Sequence, residues 1–313
     1  MTEIAQNDTF SISTKEDTKN RNKKNEEDTY QKSKIPLKEF ISIYRKQLVP
    51  ISIFIGFIIL VFVMAFLTRG FADFMFQYES YLSPSWKHPL GTTLRGYDAF
   101  GMFFNSIKNS LIIGLIAGTI CVFIALVIGI IGPFLGDPLD TIFQLFTNVF
   151  LVFPQIPFII LLSTLLEERS WGIVIIVISL FNWPWAARFI RSQVLSLKER
   201  NFVKVSEITG MRKAKIAFVE VLPNMMSYII LVFITILGIA IVTEASLSMI
   251  GLGQQEKWTL GRMLYQSLQT NDIGYNRWWL WIPPGLTIAV LLTLMFVINS
   301  RLGEVFNPRI RDK

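Results

Sequence analysis

Long uncharged apolar runs alternate with short polar connections along this chain, and the runs predict its main elements. A helix of about 20 apolar residues crosses the roughly 30 Å hydrocarbon core of a bilayer. Six runs reach that scale, at 48–67, 110–135, 141–166, 171–187, 221–243 and 278–300, and none contains Asp, Glu, Lys or Arg. They predict an all-α integral membrane protein with six transmembrane helices. Pro154, Pro157, Pro184, Pro283 and Pro284 fall inside these runs, where neighbouring helices must satisfy the freed carbonyls, so they predict bends rather than ends.

The polar stretches differ in kind. Residues 1–47 are rich in Asn, Lys, Glu, Thr and Ser without apolar periodicity, a composition that cannot offset the entropy of ordering, and they predict a disordered tail. The first apolar run lacks a small-residue cleavage site after it, so it predicts a retained membrane helix and not a secretory signal. Residues 48–313 then form the membrane domain. Two connections are long, 68–109 and 188–220, and long loops on membrane proteins carry contacts. A third segment, 244–277, is too interrupted to span and predicts a helical hairpin or re-entrant structure.

Composition agrees with the pattern: 52% of the 313 residues are hydrophobic and only 17% charged, which excludes an ordinary soluble domain. The net charge of +7 raises the question of nucleic acid, but its distribution answers it. With six spans both termini share a side, and that side carries 22 of the 30 Lys and Arg residues, including those of the tail and of 188–220. The positive-inside rule places both termini in the cytoplasm and leaves no nucleic-acid role for the charge. The loop 136–140 runs against the bias, with two aspartates and no cation.

Candidate chemistry is sparse. Cys121, the single cysteine, lies mid-run and reads as a small apolar filler. His88, the single histidine, reads as a turn or capping residue before Pro89, with a metal site as the alternative. Glu244 borders the outer end of the fifth run, as a structural interfacial residue or as a proton or substrate site. Trp278, Trp279 and Trp281 read as an aromatic belt. Gly129, Gly132 and Gly136 lack the Lys-Ser/Thr of a phosphate loop, and no nucleophile with a base and an orienting partner stands out. The chain is therefore expected to hold no catalytic residue, metal or cofactor.

Between 188 and 220, Leu197, Phe202, Val205 and Ile208 fall near helical spacing among cations. They predict a short amphipathic helix beside the membrane, closed by Gly210 in a left-handed cap. Twelve residues on, Leu222 and Pro223 open the fifth span, with proline where its missing N–H costs least. On the other side, His88-Pro89-Leu90-Gly91-Thr92, Gly96 and Asp98 precede the second span, and Glu244-Ala245-Ser246-Leu247-Ser248-Met249-Ile250-Gly251-Leu252-Gly253 closes the fifth. Trp258, Leu260, Gly261, the pair Trp278 and Trp279, Pro284-Gly285-Leu286 and Asn307-Pro308-Arg309 follow.

That collinear order, from about Lys38 to Arg309, resembles the C-type permease subunits of the dipeptide, oligopeptide and nickel ABC importers. The 188–220 segment is similar to their signature loop, a Glu-Ala-Ala triplet followed by a glycine and a Leu-Pro pair. Here Gly210, Leu222 and Pro223 match, while Lys204, Val205 and Ser206 occupy the triplet, so the usual acidic position is cationic. The resemblance implies a type I importer fold, forming half of the translocation pathway beside a second, B-type permease in a bacterial cell membrane. It implies two cytoplasmic ABC ATPases that bind the ATP and Mg, and an extracellular substrate-binding protein that delivers a peptide. A nickel or metal-chelate importer is the alternative. The ATPase-coupling residues it implies are Leu197, Lys198, Phe202, Lys204, Val205, Ser206, Ile208, Gly210, Leu222 and Pro223. His88, Pro89, Gly91, Thr92, Asp98, Glu244, Gly251 and Gly253 carry its outer-face motifs. The residues lining the solute path are not assigned. A self-sufficient secondary transporter would want ionisable groups at mid-membrane, and a membrane enzyme clustered catalytic groups; the uncharged runs offer neither.

Overall fold

A computed structural model describes residues 37–68, 77–165 and 170–306. The chain divides into two units, Met1–Val49 and Pro50–Lys313. Within the first, residues 37–49 are helical, so the polar tail expected at 1–47 gives way to helix from Leu37; residues 1–36 lie outside the described residues, as do Asn307, Pro308 and Arg309.

The longer helices are α1 (Leu37–Leu67), α2 (Ala99–Leu135), α3 (Asp137–Val152), α4 (Gln155–Leu165), α5 (Trp171–Lys198), α6 (Asn201–Ile208), α7 (Met226–Met249), α8 (Leu260–Gln269) and α9 (Trp278–Phe306). Among the described residues the β-type pairing is one isolated bridge, Thr92 to Asp98. Five helical stretches are long and apolar enough to cross a membrane: Val49–Leu67, α2, α5, α7 and Trp278–Gly303. The third apolar run is not a straight helix. It is the pair α3 and α4, bent by 84°, which makes a sixth span only if the two are taken together. The cause is Pro154: the preceding Phe153 is extended (φ −63°, ψ 131°), as steric conflict with a following proline ring requires. Pro184, Pro283 and Pro284 instead sit within continuous helices.

Helices outrun their apolar runs, α2 and α5 most informatively. α2 starts at Ala99, where the Asp98 carboxylate accepts a bond from Gly101 N at 3.0 Å and caps the first turn. α5 continues through Lys198, so the first third of the segment read as an inner loop is helix. Between α6 and α7 the chain makes a turn at Lys213–Lys215, a π-helical stretch at Ile216–Val221 and another turn at Leu222–Asn224.

The packing centres on α2, α5 and α7. Small residues bring the helices close, which matters where lipid removes the hydrophobic drive for association. A Cβ on Gly129 would lie 2.9 Å from Ile190 Cγ2 and 3.0 Å from Ala187 O, which sets the α2–α5 approach. Ala117, Val177, Ile178 and Ala240 fill the same seam further up. Ile107, Ile241, Leu260, Leu291 and Met295 join α2, α7, α8 and α9. Large apolar side chains on α1, such as Ile53, Ile59 and Phe66, remain exposed, as a lipid-facing surface allows.

Candidate functional site

At the C-terminal end of α2 and α5, the chain leaves α5 at Lys198 and re-enters helix at Asn201 through an extended Arg200 (φ −74°, ψ 147°). The resulting α6 buries Val203 and Ser206 and presents Phe202, Val205 and Ile208, which are 36%, 58% and 86% exposed. Three apolar residues at i, i+3 and i+6 lie along one helical face. This inverts the ordinary pattern, in which the apolar stripe faces the core. The back of the helix is anchored by Val203, which joins Ile190, Val194, Ile216, Ala217 and Val221 in one buried cluster. Lys204 is exposed.

Gly210 closes α6 at φ +77°, as a left-handed cap requires. Its N–H donates to Glu207 O at 3.0 Å and that of Met211 to Ser206 O at 3.1 Å, the paired bonds of a Schellman motif. A Cβ there would meet nothing within 4 Å.

The remaining residues of the implied coupling set do not share the exposed face. Leu197 belongs to α5 and packs against the buried cluster, because the chain breaks at Glu199 and Arg200 before α6 begins. Lys198 Nζ donates to Pro133 O at 2.6 Å and sits 5.0 Å from the Phe134 ring, tied to the end of α2. Leu222 is half-buried and Pro223 exposed, both in the turn before α7, so the fifth apolar helix starts at Met226 and not at the Leu-Pro pair.

One of the two aspartates of 136–140, Asp140 in the first turn of α3, finds its explanation here. Asp140 takes two parallel bonds from Arg191 of α5, at 3.1 and 2.6 Å, and a third from Gln144 at 3.0 Å. A planar guanidinium matches a carboxylate in this bidentate way. The pair clamps the α2–α3 connection to α5, and Arg188 adds a 2.8 Å bond to Asn148 of α3. Neither contact was foreseen from the sequence; the only available signal was an acid in a five-residue loop that otherwise runs against the charge bias.

At the opposite end of α2 the His88 motif folds into a knot. His88 Nδ1 lies 3.1 Å from Asp98 Oδ1, and Tyr78 packs edge-on against the imidazole at 4.3 Å. Asp98 thus spends one oxygen on His88 and the other on the α2 cap. Thr92, fully buried, donates through Oγ1 to Glu79 O at 2.7 Å and accepts from Leu82 N at 2.8 Å. Gly91 holds φ +61°, and a Cβ on it would collide with Leu82 O and come within 2.9 Å of Trp279 Nε1. Trp279 therefore packs on this knot, while Trp278 is 45% exposed. Pro89 is exposed.

Glu244 lies within α7, fully buried. Ser248 Oγ donates to its Oε1 at 2.7 Å and Ser110 Oγ of α2 to its Oε2 at 3.4 Å; Ser110 Oγ in turn accepts from Leu260 N at 3.0 Å. The carboxylate is the hub at which α2, α7 and the start of α8 meet. Around it the chain packs without slack: Gly251 (φ +80°) lies against the Tyr265 ring, Gly253 against Ser248, and a Cβ on Gly261 would be 2.6 Å from Ala245 Cα. The segment after α7 thus doubles back along it as a hairpin ending in α8.

A helical assembly of apolar spans, with a short surface helix at one end and a folded loop at the other, defines a multi-span membrane protein. The chain belongs to the family of binding-protein-dependent transport system inner membrane components, which it matches over residues 122–312. It is accordingly a multi-pass protein of the bacterial inner membrane. Similar proteins include the oligopeptide transport system permease protein OppC of Bacillus subtilis, 28% identical over 261 residues that cover 81% of this chain and 84% of the relative. The dipeptide transport system permease protein DppC of the same organism is 29% identical over 234 residues, 74% and 72% of the two chains. OppC of Lactococcus lactis subsp. lactis is 28% identical over 238 residues, 74% and 79%.

Proposed function

We propose that this chain forms half of the translocation pathway of an ATP-driven importer of oligopeptides or dipeptides, and that α6 is the surface on which a cytoplasmic ATPase acts. The observation that carries the reading is the outward row Phe202, Val205 and Ile208 on a helix whose other side is fixed in the core. An apolar row of that kind, on a helix whose back is fixed, is suited to burial against a partner. The peptide cargo rests on the relatives, whose names carry oligopeptide and dipeptide transport.

In this reading α3 and α4 form one broken span, giving six in all, with both termini in the cytoplasm on the strength of the cation bias. ATP and Mg are bound by two ATPase subunits, so the chain itself does no chemistry. A related second permease completes the pathway, an external binding protein delivers the peptide, and lipid surrounds the whole. When the ATPases close on ATP, their motion reaches α6. Val203 and the cluster around Ile216 pass it to α5 and α7, and the Arg191–Asp140 clamp and the Lys198–Pro133 bond pass it to α2 and α3. Lys204, where the family carries an acid, stands beside the apolar row, and docking depends on that row more than on a charge at 204.

Uptake measurements test the cargo. Cells lacking this gene and supplied with it again should regain import of labelled di- or oligopeptides and not of nickel. Restored nickel uptake without peptide uptake would replace the peptide reading.

A further inference from the structure

A cavity of about 630 Å³ opens at the N-terminal end of α2, at the end away from α6, between the last turns of α1, the loop before α2 and the segment that leads into α8. Its lining divides by chemistry. Among the described residues, Arg95, Lys108, Lys257 and Arg262 bring four cations to it against a single acid, Glu256. Those four are half of the eight Lys and Arg residues that the charge bias leaves on the outer side. The facing wall is apolar: Phe62 and Phe66 of α1 are 43% and 76% exposed.

Three of these cations, Arg95, Lys257 and Arg262, are held without being neutralised among the described residues. Arg262 donates through Nη1 to the carbonyls of Gln255 and Lys257 and stacks 4.4 Å from the Trp258 ring. Lys257 Nζ lies 3.9 Å from the Trp171 ring. Among the described residues, Arg95, Lys257 and Arg262 form no ion pair. Burial lowers the pKa of Arg262 from its ordinary value, Tyr97 opposes the shift, and Arg95 adds to it. Like charges gathered in a partly desolvated cleft favour an anion between them.

A soluble anion would need only the cations. The exposed rings on a membrane-spanning helix directly beside them supply what an acyl chain needs, at the depth where headgroups lie. We propose that this cavity holds the phosphate headgroup of an anionic phospholipid, with one of its acyl chains against Phe62 and Phe66.

The test uses the assembled transporter, reconstituted in phosphatidylcholine mixed with phosphatidylglycerol and then stripped in detergent, with native mass spectrometry counting the lipid retained. Phosphatidylglycerol should be retained in preference to phosphatidylcholine. Arg95→Gln and Lys257→Gln, both at exposed positions that need not disturb folding, should each lower that retention roughly fivefold, the scale of one cation at a membrane surface. Phe66→Ser should lower it as well, because the acyl chain loses its wall. Equal retention of the two lipids, or retention unchanged in both cation variants, overturns the proposal. Displacement by free glycerol phosphate with no effect of Phe66→Ser would assign the cavity to a soluble anion instead. A carbodiimide cross-link from Lys257 to a carboxylate of a partner subunit, found in place of retained lipid, would show that protein fills the cavity and would also overturn it.

Discussion

Two glycines with the same left-handed backbone have different neighbours, and the difference is measurable. Gly210 caps α6 at φ +77° in open space, whereas Gly91, at φ +61°, is pressed against Leu82 O and Trp279 Nε1. Gly210→Ala should therefore cost only the conformational penalty, about 1–2 kcal/mol. Gly91→Ala adds a backbone collision to the same penalty and should be the worse of the two. Thermal unfolding of the detergent-purified protein checks the order; a Gly91→Ala protein as stable as Gly210→Ala would mean that the knot around Thr92 yields freely. Gly210 was legible from the sequence because a glycine after an amphipathic stretch has few other uses. Gly91 was legible only as part of a motif, since the residues that crowd it lie 9 positions before and 188 after it in the chain.

Elements were legible to the extent that lipid dictates them. Hydropathy marks where a helix meets hydrocarbon, not where its hydrogen bonding ends, so α2 and α5 reach past their apolar runs, through Asn105 and Asn109 at one end and Arg188 and Arg191 at the other. Arg191, four residues past the end of the fourth run, has its partner 51 residues away in Asp140, a separation that no periodicity reports. The exposed face of α6 was readable from the spacing of Phe202, Val205 and Ile208; the break at Glu199 and Arg200 that separates Leu197 from it was not. Pro154 showed that the third run bends, though not that the bend reaches 84°. Glu244 belongs to this scale because it joins three elements. Removing it as Glu244→Ala leaves the Ser110 and Ser248 hydroxyls without their buried acceptor and opens space at the α7–α8 hairpin. A loss of about 1–3 kcal/mol is expected for each polar group left unsatisfied, read as a lowered unfolding temperature. If Glu244→Ala keeps full stability but loses transport, the carboxylate serves the solute or a proton rather than the fold.

For the whole molecule, orientation comes first. On the proposed orientation, which rests on the 22-to-8 division of cations, Lys87, exposed beside the His88 knot, is expected outside the cell. Lys87→Cys, made in a chain whose buried Cys121 is replaced by Ala, should react with an impermeant maleimide in intact cells. Labelling only after permeabilisation would invert the topology and move α6 to the wrong side for an ATPase. With the orientation fixed, the coupling role of α6 is the central claim, and its most direct test is ATPase co-purification together with solute-stimulated ATP hydrolysis in liposomes. Phe202→Asp and Val205→Asp place an unpaired charge where a partner should cover an apolar row, and both readouts should fall by at least about tenfold while the variant still reaches the membrane. Lys204→Glu should leave both near the unmodified level. If Phe202→Asp and Val205→Asp retain full co-purification and full stimulated hydrolysis, α6 is not the coupling element.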